Sequence, residues 1–406
     1  MDVTAVGAQG DGLAAGPVYA PLTLAGERVR VRREGARAEL VEVLKASPER
    51  VAPPCPHFGA CGGCALQHWA SAPYLAWKAG LVGAALARER IETEILPTFA
   101  SPPGSRRRLA LHARRGEGRI RLGFKARRSW SLVDIDVCPI SDPRLVAALP
   151  ALRALAAPFL EHPKSAPTLH VTWTGSGIDL DVSGVERRSG GLSADARLRA
   201  AEAAAAGDLA RVTLAGEVVY QARQPAVRLG PATVALPPGA FLQAVPQAEA
   251  AMGDFAVQAA AGARRIADLY CGVGTFTFRL AVLAPVHAAD SSSPAVAALK
   301  AAIATAPGLK PITAEARDLV RRPVLAQELS RTDVVVFDPP RAGALEQTRE
   351  IAASKAARVV AVSCNPATFA RDARVLVYAG FRLDRVLPVD QFLWSPHVEL
   401  AGVFSR

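Results

Sequence analysis

The sequence predicts an α/β protein whose C-terminal part is a Rossmann-like parallel sheet, preceded by a small β-barrel and an α+β central region. Two observations carry this expectation. Beyond about residue 237, apolar strand-like runs at 265–270, 286–290, 334–338 and 358–363 alternate with helical stretches, as in a parallel sheet covered by helices. Residues 1–50 instead set short apolar runs between glycine turns such as Gly10-Asp11-Gly12 and Gly16-Pro17, the pattern of a small barrel. With 406 residues there is chain for two or three domains, which we place at 1–50, 51–236 and 237–406.

Half the residues are hydrophobic and 21% are charged, which excludes a disordered chain. No apolar run approaches the length of a membrane span, and the first dozen residues lack the basic and apolar segments of a signal peptide. A cytoplasmic, monomeric protein without membrane association is expected. Lys and Arg total 48 against 37 Asp and Glu, a net charge of +11, and only seven of the 48 are Lys. Arginine makes planar, bidentate contacts to phosphate, so a polyanionic partner is expected, although a codon bias would enrich Arg equally.

Along the chain, Ser47-Pro48 and Pro53-Pro54 punctuate the end of the barrel. Residues 65–95, rich in Ala and Leu, read as one helix ending before Pro97. Residues 101–130 carry nine Arg and Lys125 against one acid, Glu117, on strand-like alternation, which suggests a basic sheet face that contacts nucleic acid. Strands are expected at 168–182 and 211–220, and a helix at 193–206.

The chemistry is expected in the last part. Asp268-Leu-Tyr270-Cys271-Gly272-Val-Gly274-Thr275 lies at a strand-to-loop junction, where glycines let backbone amides approach a ligand. The third glycine of a dinucleotide fingerprint is missing, since Thr277 stands there. Asp290 closes the next strand, where a carboxylate can accept from both ribose hydroxyls, and Asp318 follows near the next strand end. Loop, acid, acid is the order of an S-adenosylmethionine pocket. Asp338-Pro339-Pro340-Arg341 places a further carboxylate at the carboxyl edge of the sheet, held by two rigid prolines. Ser363-Cys364-Asn365-Pro366 puts a cysteine at another strand end, where a thiolate nucleophile has more reason to stand than a core filler. Alternation would set His397 and Glu399 on one face of the last strand.

Together, Tyr-Cys-Gly-x-Gly, Asp-Pro-Pro-Arg, Ser-Cys-Asn-Pro and His-x-Glu, in this order, resemble the RNA uridine-C5 methyltransferases, which make 5-methyluridine in ribosomal and transfer RNA. Phe241-Leu242-Gln243 matches the start of that family's Phe-x-Gln-x-Asn motif, with Val245 at the Asn place, and Asp290 stands where many members carry Glu. The resemblance implies that Gln243, Tyr270, Asp290 and Asp338, with Thr275 and Asp318, line the S-adenosylmethionine site. It makes Cys364 the nucleophile toward uracil C6 and Glu399 the general base.

Of the other cysteines, Cys55, Cys61 and Cys64 form a three-thiol loop that distant Cys138 can complete, while Cys271 reads as packing. Four thiolates suit tetrahedral zinc or a [4Fe–4S] cluster equally. The resemblance favours the cluster, because C-x5-C-x2-C with a distant Cys, followed by Gln67-His68, is similar to the ribosomal-RNA members. It also likens residues 1–50 to the RNA-binding barrel called TRAM. The implied activity is methylation of uridine in 23S ribosomal RNA, with transfer RNA as the alternative substrate. An amino-group methyltransferase would need no cysteine and usually has an aromatic residue at the place of Arg341. A non-catalytic iron–sulfur RNA-binding protein would need neither Cys364 nor Glu399.

Overall fold

The computed structural model describes residues 1–116, 118–186 and 192–406; Glu117, the one acid of the basic segment, lies outside them. Short strands within residues 5–45 form a five-stranded sheet, and an Asp2–Arg28 bridge brings its two edges together. A seven-stranded sheet follows in the order 132–134, 119–125, 108–116, 168–174, 177–183, 211–214, 217–221. Its core face is covered by the helices Leu149–Leu155 and Ala194–Ala206, the latter packing Ala196, Ala200 and Ala204. Alanine at every fourth position lets that helix lie close to the sheet.

The C-terminal sheet has the strands β1 (Ile266–Leu269), β2 (Val286–Asp290), β3 (Ile312–Ala316), β4 (Val334–Phe337), β5 (Arg358–Ser363), β6 (Arg382–Asp390) and β7 (Glu399–Ser405). They lie in the order 3-2-1-4-5-7-6, parallel except for β7, which runs antiparallel to both neighbours. β1 and β4 are buried along their whole length, which explains their unbroken apolar sequence. The strand order reverses between β1 and β4, so the carboxyl ends of these strands open a crevice there, the usual ligand site of such sheets.

The expected helix at 65–95 is shorter and spans Ser71–Arg88. Residues 65 and 66 instead donate backbone hydrogen bonds to Trp394 O, and Arg90 turns the chain with a φ of 57°. This helix packs Val82, Ala85 and Leu86 into the core of the C-terminal sheet, and Glu94–Ile95 and Phe99–Ala100 pair with β6. Its Lys78 is wholly buried and makes an ion pair with buried Asp390 at the end of β6. Nζ also donates to Phe392 O at 3.2 Å and His397 O at 2.6 Å, while Tyr74 donates to Asp390 at 3.0 Å. Burial pushes the Lys78 ammonium down and the Asp390 carboxyl up, but three acceptors around one nitrogen match a protonated amine. Removing one member leaves the other charged and unpaired in the core. Lys78→Met is therefore expected to lower the unfolding free energy by about 3–5 kcal/mol, read from urea denaturation.

The basic segment is less exposed than its sequence suggests. Arg107 is buried against Glu249 at 2.5 Å, and Arg127 and Arg128 both grip Asp11, in a turn between the first two strands of the N-terminal sheet, at 2.6 and 2.8 Å. These arginines join parts of the chain. Among the described residues no helix is long and apolar enough to cross a membrane.

Candidate active site

A cavity of about 860 Å³ opens over the carboxyl ends of β1, β2, β4 and β5. Gln243, Tyr270, Thr275, Asp290, Asp318, Asp338, Cys364 and Glu399 all line it, so residues spread over more than 150 positions meet in one place. Each arrives on a strand end or the loop after it.

The β1 loop curls because Tyr270, Gly272 and Gly274 take positive φ of 62°, 54° and 100°. At Gly274 a Cβ would stand 2.5 Å from the Phe278 ring, so no side chain fits. Asp290 accepts from Gly272 N at 2.9 Å and Ser292 N at 2.7 Å, which ties β2 to this loop. Thr277, at the place of the missing third glycine, donates its hydroxyl to buried Asp268 at 2.5 Å. Asp318 accepts from Val320 N and Arg321 N at 3.0 and 3.2 Å, two residues beyond β3. Cys271 is buried in the loop, where its thiol is held well above its ordinary pKa.

Asp338 and Glu399 are the electrostatic centre. Burial pushes Asp338 up to about 7 and Glu399 up to about 8, and the charge of Asp338 adds to the second shift. A bridge of two amides separates them. Gln243 Nε2 donates to Asp338 at 2.9 Å, and Gln391 Nε2 donates both to Gln243 Oε1 at 2.8 Å and to Glu399 at 3.1 Å. Gln391 has no motif to mark it in the sequence; the only signal is its place just after Asp390. Val245, at the place of the expected Asn, is a buried core residue whose N–H faces Gln391 Oε1 at 3.5 Å.

Cys364 is half-buried, and burial, with the charges of Glu399 and Asp338, raises its thiol to about 11, against an opposing pull from Arg341. Asn365 caps the following helix by accepting from Ala367 N at 3.1 Å, which sets the thiol at the helix start. His397 is not on one strand face with Glu399, because β7 begins at Glu399. The Lys78 contact to its carbonyl holds His397 in the preceding loop, its ring against Phe392.

Cys55, Cys61, Cys64 and Cys138 line a second cavity of about 230 Å³. Burial raises the thiols of Cys61, Cys64 and Cys138, Cys64 up to about 12. Gly63 N donates to Cys61 Sγ at 3.4 Å, and Gln67 Oε1 accepts from Cys55 N at 3.2 Å. Among the described residues no three His, Cys, Asp or Glu stand close enough to hold a single metal ion. Arg106 lines both cavities, and its guanidinium lies 5.7 Å from the Phe392 ring.

A family model described as tRNA (uracil-5-)-methyltransferase matches residues 233–406. Over the whole chain the sequence is 70% identical to an RNA methyltransferase of Caulobacter vibrioides, covering 99% of that protein. It is 33% identical to the 23S rRNA (uracil(1939)-C(5))-methyltransferase of Alkalilimnicola ehrlichii, over 94% of this chain and 90% of that one. The chain belongs to the RNA uridine-C5 methyltransferase family. The same fold is seen in the tRNA (uracil-54, C5)-methyltransferase of Pyrococcus abyssi, with a TM-score of 0.73, 23% identity, and 99% and 98% of the two chains covered. The residues that the family model matches include the C-terminal sheet and most of the wall of the large cavity above it.

Two carboxyls that titrate higher in the folded protein than in the unfolded chain make the folded form bind protons that the unfolded chain has released. Stability of the ligand-free methyltransferase should then fall as pH rises from about 5 to about 8. Glu399→Gln is expected to flatten this fall, seen as a smaller change in the urea midpoint across that range.

Proposed function

We propose that this methyltransferase forms 5-methyluridine in RNA, with 23S ribosomal RNA as substrate, through a covalent bond between Cys364 and uracil C6. The observation that carries the reading is that Cys364 and Glu399 line one cavity and lie close enough for the Glu399 charge to raise the thiol. Three carboxylates and a glycine loop suit a bound S-adenosylmethionine: Asp290 for the ribose, Tyr270, Thr275 and Asp318 for the adenosine side, Gln243 and Asp338 toward the reacting end. When bound, it supplies an electrophilic methyl group.

Uracil C5 is a weak nucleophile. The Cys364 thiol gives up its proton to water in the cavity, and its sulfur bonds to C6, pushing the ring electrons into an enolate whose C5 can take the methyl. Glu399, ionised, then removes the C5 proton; the C5–C6 double bond re-forms and the thiolate leaves. Burial keeps Glu399 largely protonated near neutrality, so it sets little charge against the thiolate; it then releases its proton to water before it takes the one on C5. Gln391 and Gln243 hold the two carboxyl groups apart while this occurs. Reaching C6 requires the base to leave its stack.

Cys55, Cys61, Cys64 and Cys138 would hold a [4Fe–4S] cluster. Four thiols around a walled cavity, with an N–H aimed at one sulfur, suit a polynuclear group. The cluster would order the junction between barrel and central sheet, which would make residues 1–50 a TRAM-like arm for RNA. The transfer-RNA alternative has behind it the name of the family model and that of the archaeal structural neighbour; the ribosomal one has the Alkalilimnicola relative, similar along nearly the whole chain.

Cys364→Ala is expected to abolish methyl transfer to RNA, at least about 1,000-fold, while S-adenosylmethionine binding by calorimetry is kept. RNA containing 5-fluorouridine should form an adduct with the wild type that survives denaturing gels, since fluorine cannot leave as a proton. An active enzyme that forms no adduct would overturn the covalent route, and nucleoside analysis of ribosomal and transfer RNA would settle the substrate. Cys64→Ser is expected to lose bound iron and the broad visible absorbance of the purified protein, measured beside the wild type under anaerobic conditions.

A further inference from the structure

Trp130 is the most solvent-exposed large hydrophobic residue described, at 84%, although its surroundings are firmly held. It sits in the turn between the strands Arg119–Lys125 and Leu132–Asp134. Ala126 N donates to Ser131 O at 2.8 Å, closing the turn. Arg127 and Arg128 anchor it to Asp11, in a turn of the N-terminal sheet. From the other side the cysteine loop binds it: Gly62 N donates to Lys125 O at 3.0 Å, and Cys61 bridges to Ala126. Gly62 is needed for this approach, because a Cβ there would stand 2.7 Å from Lys125 O. Three parts of the molecule thus fix a turn whose one large apolar side chain is left in water. A tryptophan held on a rigid support offers an aromatic face that needs no ordering before a partner binds.

The charge around it says which partner. Lys125 Nζ lies over the indole, 3.9 Å from its centre, so a cation caps one face of the ring and a base would take the other. On the central sheet, Leu109, Leu111 and Ala113 point to the core, which leaves Arg108, Ala110, His112 and Arg114 on the opposite, outward face. Arg108 and Ala110, with His170 and Thr172 on the neighbouring strand, belong to the wall of the catalytic cavity. The register that pairs His112 with Gly123 makes Lys125 the next residue of that outward face on the side of Ala110, about one strand spacing of 5 Å away. A route therefore leads from the cavity wall at Ala110 past Lys125 and ends, about two strands on, at an exposed indole.

We propose that Trp130 is a stacking platform for an unpaired base of the RNA beside the target uridine. The proposal rests on RNA uridine being the substrate. Unstacked bases are what such proteins recognise in single-stranded RNA: an aromatic face takes the base, and cations next to it take the phosphates. Lys125 would take a phosphate of the backbone leaving the cavity, and Trp130 would receive a base a nucleotide or two from the one that enters it.

The test is equilibrium binding of a fluorescent single-stranded 12-nucleotide RNA, with tritiated methyl transfer to ribosomal RNA run alongside. Trp130→Ala should weaken binding about 5- to 100-fold, and Trp130→Phe should stay within about threefold of wild type. The slope of log affinity against log salt should not change in Trp130→Ala, because no cation is lost, whereas Lys125→Gln should reduce it by about one. Melting temperatures of all three variants are measured as a control for folding. Unchanged RNA affinity in Trp130→Ala overturns the proposal and turns attention to a protein partner. So does a loss that Phe does not restore, or one that comes with a smaller salt slope. A wild type that transfers no methyl to RNA would instead overturn the proposed function.

Discussion

The buried Lys78–Asp390 pair is the contact on which the rest of the site depends. A lysine in the middle of an otherwise apolar helix face is costly to bury, and only a partner with further acceptors makes it tolerable. Asp390, Phe392 O and His397 O supply these: Asp390 ends β6, and the other two lie in the loop that leads to β7. Binding one ammonium at both ends of that segment bends it into a fixed loop. Gln391 is next to one anchor and Glu399 is two residues from the other. The helix that supplies Lys78 comes from the region far before the C-terminal sheet in sequence, so the candidate site is not complete in the C-terminal part alone.

The second constraint is repulsion. Asp338 and Glu399 are carboxyls in a poorly solvated cavity, each pushed toward neutrality, and the amides of Gln243 and Gln391 stand between them. An amide can donate to one carboxylate and accept from the next amide, so a Gln–Gln link orients two acids without adding charge. The position of Gln243 is secured in turn by the central sheet: Arg107 donates to Gln243 O at 3.0 Å and Arg108 to Leu242 O at 2.5 Å. These arginines, which look like a nucleic-acid surface in the sequence, hold the cavity wall. The outward residues beyond them keep the basic character that RNA would require.

The motif residues were legible because a parallel strand ends where its apolar run ends. Tyr270, Asp290, Asp338 and Cys364 each follow such a run, and all of them line the cavity. The cysteine loop was legible from spacing, and the glycine loop from its need for positive φ. Gln391 was not, since its meaning comes from facing Gln243, almost 150 residues earlier, and Glu399 across a loop. His397 misled because alternation applies only inside a strand, and the Lys78 contact to its carbonyl keeps it outside.

By itself, then, the sequence determined the fold class, the uridine-methyltransferase family and the residues that reach the sheet's carboxyl edge, because these follow from local hydrophobic periods and short motifs. Tertiary structure alone decided which arginines are structural, how the two carboxyls are kept apart, where the helix of Lys78 clamps the loop before Glu399 and that Trp130 stays exposed. Those outcomes depend on which distant segments lose their water together, and no local pattern records that.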